Sequence, residues 1–175
     1  MKKLLYFLFF SLFAGTKCSA QIRLVPGESK VGKEIFIIHA IPSMAMDTQK
    51  YIVVSSKSNL YNNGIPFSKD LRHIPMNPRN IHINSTQVDN LIYQAFGTKL
   101  NALKDRKETL GIIFIFKPDG SIVDVSFSLH YNTIITLEDI EAIDKALRAN
   151  IKATFTGREY LQQEAISGDI KTIVF

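Results

Sequence analysis

Four histidines and one cysteine are the imidazole and thiol side chains of this 175-residue sequence, the types most diagnostic of a transition-metal site or of base-assisted nucleophilic catalysis. Their placement argues against both. His39, His73, His82 and His130 are far apart along the chain, and no two share the close spacing that metal sites commonly show. His39 and His82 fall in apolar or strand-like runs, His73 in a long loop and His130 at a strand end, which suits packed or solvent-facing side chains. The sequence has no Gly-x-Ser-x-Gly elbow, no phosphate loop, no dinucleotide glycine pattern and no His-Glu-x-x-His pair. No catalytic residue, metal ligand or cofactor is assigned on these grounds, and the reading leans away from an enzyme.

A second chemical feature is a basic stretch. Lys69, Arg72, His73 and Arg79 lie within a long loop, with Pro66, Pro75 and Pro78, that also carries Tyr61, Phe67, Ile74 and Met76. Charge mixed with apolar side chains can grip an acidic or peptide partner. The same mixture also pins an ordinary loop onto a core. Asn84-Ser85-Thr86 matches the glycosylation sequon, which has meaning only in a eukaryotic secretory pathway and carries no weight here.

Lys2 and Lys3, the apolar run Leu4 to Ala14, and the small residues Cys18, Ser19 and Ala20 before Gln21 have the three-part layout of a secretory signal. The run is shorter than the roughly 20 residues of a membrane-spanning helix, so residues 1–20 are expected to be removed and no membrane span to remain. Lipid attachment at Cys18 is disfavoured because Lys17 stands where lipoproteins resemble one another in having a small residue. Cleavage after Ala20 would leave residues 21–175 as a single domain without cysteine, excluding disulfides and thiol chemistry. Loss of Lys2, Lys3 and Lys17 would also lower the formal net charge from +5 to +2, too balanced to favour nucleic acid. An exported protein, periplasmic or extracellular, is the expectation.

The C-terminal half has the sharper periodicity. Val88, Leu91, Ile92, Ala95, Phe96, Leu100 and Leu103 follow the one-face spacing of an amphipathic helix, with Asn84, Ser85 or Thr86 as its cap. Gly97 inside it predicts a close packing contact or a kink. Ile112–Phe116 reads as a strand at the middle of a sheet or covered on both faces. Pro118-Asp119-Gly120 reads as a tight turn. Val123, Val125, Phe127 and Leu129 alternate with Asp124, Ser126 and Ser128, predicting a second strand with one wet face. Thr136 opens another helix, with Ile140, Ile143 and Leu147 on one side. Residues Lys152–Phe155 and Ile170–Phe175 read as strands, the latter tied into the sheet by its apolar end.

In the N-terminal half, Glu34–Ala40 and Tyr51–Ser55 read as two strands joined by Pro42–Asp47, followed by a long loop from 57 to 80. Together these elements predict an α+β fold, a mainly antiparallel sheet with two principal helices packed on one face.

The order helix, strand, Asp-Gly hairpin, strand, helix and closing strand over 84–175 resembles the C-terminal domain of TonB-like proteins. Gly111–Phe116, Asp119-Gly120-Ser121-Ile122, Val123–Leu129, Leu137–Ala149 and Ile170–Phe175 are the corresponding segments. The chain lacks the proline-rich spacer and the Tyr-Pro pair of the energy transducers, so the resemblance concerns the domain rather than energy transduction. The Ser19-Ala20-Gln21 junction is similar to that of small exported Bacteroidetes proteins. What the resemblance implies is capture of an envelope protein or extended peptide by an open sheet edge. Ile170, Thr172, Val174 and Phe175 would be the contact residues, with Tyr51–Ser55 as the other candidate edge. The competing expectation is a small-ligand carrier or hydrolase with a pocket beneath loop 57–80, using Arg72, His73 and Arg79.

Overall fold

The structure, a computed structural model, describes residues 24–41, 51–62, 77–168 and 171–175. Segment 1–20 with Cys18, the 42–47 connection, Lys69, Arg72, His73 and Ile170 lie outside the described residues. Among those described, the strands are β1 Gly27–Val31, β2 Glu34–Ile41, β3 Tyr51–Ser56, β4 Ile81–His82, β5 Thr109–Phe116, β6 Ile122–His130, β7 Thr154–Phe155, β8 Ile166–Ser167 and β9 Lys171–Val174. The helices are α1 Ser85–Phe96, α2 Leu100–Asp105 and α3 Leu137–Asn150.

Alternation explains the sheet. Leu110, Ile112, Phe114 and Phe116 of β5 are fully buried, whereas Ile113 and Ile115 are only half-buried. The continuous apolar run is therefore a central strand with one core face and one weaker face. Val125, Phe127 and Leu129 of β6 continue the core face, as do Ile52 and Val54 of β3 and Phe36 and Ile38 of β2. Against them pack Val88, Ile92 and Phe96 of α1, Leu103 of α2 and Ile140, Ile143 and Leu147 of α3, all in one cluster. The fold is α+β, a seven-stranded antiparallel sheet with its helices on one face.

The sheet runs β1-β2-β3-β6-β5, and both β8 and β9 pair with the far side of β5. This corrects the expectation for Tyr51–Ser55. β3 lies between β2 and β6, paired on both sides, and is an interior strand rather than an edge. The expected strand at 152–155 is shorter, with β7 pairing β4 in a separate two-stranded ribbon and Lys152 making a single bridge to Ser121.

Helix ends follow local chemistry. The Asn84 side chain accepts from Gln87 N–H at 3.0 Å, and Thr136 and Asp139 form a reciprocal capping box on α3. Gly97 has φ 49° and open space where a Cβ would stand, so it breaks the helix into α1 and α2 without a close contact. Gly120 is different. Its φ is 81°, and a Cβ there would lie 2.0 Å from the Ala153 carbonyl oxygen. No helix among the described residues is long and apolar enough to cross a membrane.

Candidate functional site

The last strand holds the sequence-predicted contact residues that fall within the described chain. Phe175 donates its backbone N–H to the Glu108 carbonyl at 3.0 Å. Antiparallel pairing alternates hydrogen-bonded with non-bonded pairs, and the register sets Ile173 opposite Leu110 and Lys171 opposite Ile112. Residues 171, 173 and 175 thus turn their backbone groups toward β5. Thr172 and Val174 turn theirs away, along a side where no described strand pairs. Their side chains share the sheet face opposite the helices, and Val174 is 66% exposed.

The helix side of β9 is held down by α1. Lys171 Nζ lies 3.0 Å from the Asp89 carboxylate. The Phe175 ring meets Phe96 edge-on at 5.2 Å and Tyr93 at 6.1 Å. Asp89 and Tyr93 are one helical turn apart, so one stripe of α1 flanks the open edge with a charge and an aromatic ring. The apolar C-terminus made the strand visible in sequence. Nothing in the spacing of α1 marked Asp89 and Tyr93, because their partners are some 80 residues away.

The edge continues into β8. Gly168 N–H donates to the Phe114 carbonyl at 2.8 Å, which leaves the backbone of Ser167 facing outward by the same alternation.

The other polar residues lie elsewhere. Arg79 is exposed on a 3-10 turn before β4, its N–H bonded to the Asn77 side chain. His39 is exposed on β2, His82 approaches Thr156 at 3.3 Å, and His130 stacks on Tyr51 at 4.6 Å. The structure does not bring these three histidines onto one element. Among the described residues no group of three or more His, Cys, Asp or Glu could hold a metal ion.

A buried polar cluster was missed from sequence. Arg148 of α3 contacts both Asp144 oxygens at 3.0 Å, the Val123 carbonyl at 2.6 Å and Asn59 Oδ1 at 2.7 Å. Val123 is the extra residue where the β5–β6 register shifts, so Arg148 satisfies the carbonyl of a bulge. Asn59 in turn donates to the Val125 carbonyl, and Asp124 accepts the N–H groups of Leu60 and Tyr61. Asp124 was expected on a wet face and is instead buried beneath this loop, while Ser126 and Ser128 stay half-buried. Burial holds the Asp144 carboxyl above the ordinary range, opposed by Arg148. The Tyr61 phenol is raised by burial and then by the charges of Glu164 and Asp124. These groups satisfy one another, as interior polar networks must, and serve to fasten the loop to the sheet.

No protein-family model matches the sequence, and no curated protein matches it either. In three dimensions the chain is similar to a DUF5043 family protein from Bacteroides uniformis ATCC 8492, known from a crystal structure. The TM-score is 0.61 at 14% sequence identity, over 88% of this chain and 86% of that one. At that identity the likeness is one of fold.

Proposed function

We propose that this is an exported envelope protein that works as a non-enzymatic interaction module, capturing an extended protein segment along β9. The observation that carries this reading is the outward-facing backbone of Thr172 and Val174 on an edge that no described strand pairs, beside the Tyr93 and Phe175 rings. An incoming strand would take its main-chain hydrogen bonds from those two residues and set alternate side chains against the rings. The signal-like segment 1–20 and the resemblance of 84–175 to TonB-like domains favour the same reading, with the envelope as the proposed setting. Anchorage of Lys171 and Phe175 by α1 keeps the edge straight and ready, which lowers the ordering cost of binding.

Photo-crosslinking in the native host tests it. A photoreactive residue at position 172 or 174 is expected to yield one reproducible envelope adduct, absent when the residue is placed at the exposed Lys145 of α3. Thr172→Pro removes one outward N–H at a position where an edge strand tolerates proline, and should abolish the adduct formed from 174 while leaving thermal stability nearly unchanged. Equal labelling from positions 172, 174 and 145 would overturn the proposal.

A further inference from the structure

The opposite edge of the sheet carries a separate signal, independent of the β9 reading. β1 pairs with β2 in the register Val31↔Glu34, Lys30↔Ile35, Ser29↔Phe36, Glu28↔Ile37 and Gly27↔Ile38. Lys57 N–H donates to the Ile35 carbonyl at 2.7 Å, so the backbone groups of Ile35 face β3. By alternation Lys30 and Glu28 are the β1 residues whose N–H and C=O groups point away from β2. Among the described residues no strand pairs with that outer side. Both side chains are exposed and lie on the sheet face away from the helices, while Ser29 between them is half-buried on the other face.

This pattern is self-complementary. An antiparallel pair of β1 strands related by a two-fold axis through Ser29 sets Glu28 opposite Lys30 of the second copy, and Lys30 opposite its Glu28. The four outward backbone groups of each copy then meet those of the other in two hydrogen-bonded pairs, and Ser29 meets itself in the non-bonded pair at the axis. The two opposite-charge pairs fall directly across from one another on one face, where such pairs are favourable. Lysine and glutamate on an edge ordinarily deter pairing with a foreign strand. Placed two residues apart with opposite sign, they admit a copy of the same strand in one register.

We infer that the partner of the β1 edge is a second copy of this chain, joined antiparallel about Ser29 to make a continuous sheet through both molecules. The contact is small, which places it in the weak, concentration-dependent class. Lys57 Nζ lies 2.8 and 3.0 Å from the two Glu28 oxygens, an exposed pair in which the carboxylate, with about four lone-pair sites, keeps acceptor capacity for an incoming lysine.

Sedimentation of the purified protein over roughly 10 µM to 1 mM is the test. A concentration-dependent dimer is expected. Glu28→Lys would face Lys30 with a like charge, and Lys30→Glu would face Glu28 likewise, so each alone should weaken the dimer at least tenfold. The two single variants mixed one to one should form a heterodimer, because every cross-strand pair is then of opposite sign. The double reversal E28K/K30E should restore the homodimer. Both residues are exposed, and unchanged circular dichroism and melting temperature would show that the fold persists. A wild-type monomer throughout the range, or a dimer indifferent to the single reversals and to their mixture, would overturn the inference.

Discussion

At the scale of single residues, Arg148 illustrates how a side chain can be critical without touching any ligand. It neutralises a buried aspartate, satisfies a bulge carbonyl and holds Asn59, three tasks that a straight aliphatic chain cannot perform. Arg148→Met should therefore cost about 3 kcal/mol, since it strands Asp144 unpaired in the interior. Asp144→Leu alone strands the guanidinium, and the double substitution should cost clearly less than the sum of the two. A double-mutant cycle in urea reads this directly. Asp144 also has a pH signature. Its folded pKa lies above the unfolded value, so the native state binds more protons in the interval between them, and stability falls as pH rises through that interval. Asp144→Asn should remove that decline, seen as a flatter dependence of the urea midpoint on pH just above the ordinary carboxylate range. Neither Arg148 nor Asp144 stood out in the sequence. Their i, i+4 spacing is that of any solvated helical pair, and only the approach of β6 and Asn59 makes them interior.

Among the elements, the two positive-φ glycines around the helices and hairpin separate two kinds of constraint. Gly97→Ala meets no atom within 4 Å, but φ 49° with ψ −115° lies outside even the left-handed helical region, so the backbone strain alone should cost about 2 kcal/mol. Gly120→Ala adds a collision with the Ala153 carbonyl, to which the chain is tied by the Ala153 N–H bond to the Gly120 oxygen at 2.9 Å. That substitution should cost about 3 kcal/mol and loosen the join between the hairpin and the chain after α3. The edge strands make a prediction of their own. Amide exchange along β9 should alternate, with Lys171, Ile173 and Phe175 protected and Thr172 and Val174 fast, because only the first set bonds to β5. Protection of 172 and 174 on adding a partner would report strand addition residue by residue. The hairpin and α3 were legible in the sequence because turn, cap and period are all written within a few neighbouring residues. β9 was legible as a strand for the same reason. Its being an edge is not written locally, since Tyr51–Ser55 carries the same strand signals and only the pairing of β3 on both sides separates the two.

For the molecule as a whole, the sheet presents two unlike edges at opposite ends, one apolar and flanked by rings, the other charged and self-complementary. Because β1 and β9 lie on opposite sides of the sheet, the proposed join through β1 would leave β9 free to receive a strand. The sequence alone carries the α+β class, both helical periods and the β5–β6 hairpin, while it leaves the first helix's cap open among Asn84, Ser85 and Thr86. Those features depend on side-chain period and turn chemistry within a short stretch of chain. It also marked the residues 172–175 as a strand end worth attention. Tertiary structure alone decided the rest. β3 became interior once β2 covered one side and β6 the other. β1, with Gly27, Glu28, Ser29 and Lys30, carries no apolar alternation and is a strand only because β2 offers it a partner. Asp124 was buried by a loop that returns from β3. For β3 and Asp124 the deciding contacts join segments far apart in the sequence, whereas β1 reaches β2 through the two-residue turn Gly32-Lys33 and lacks only the apolar alternation that would mark it as a strand.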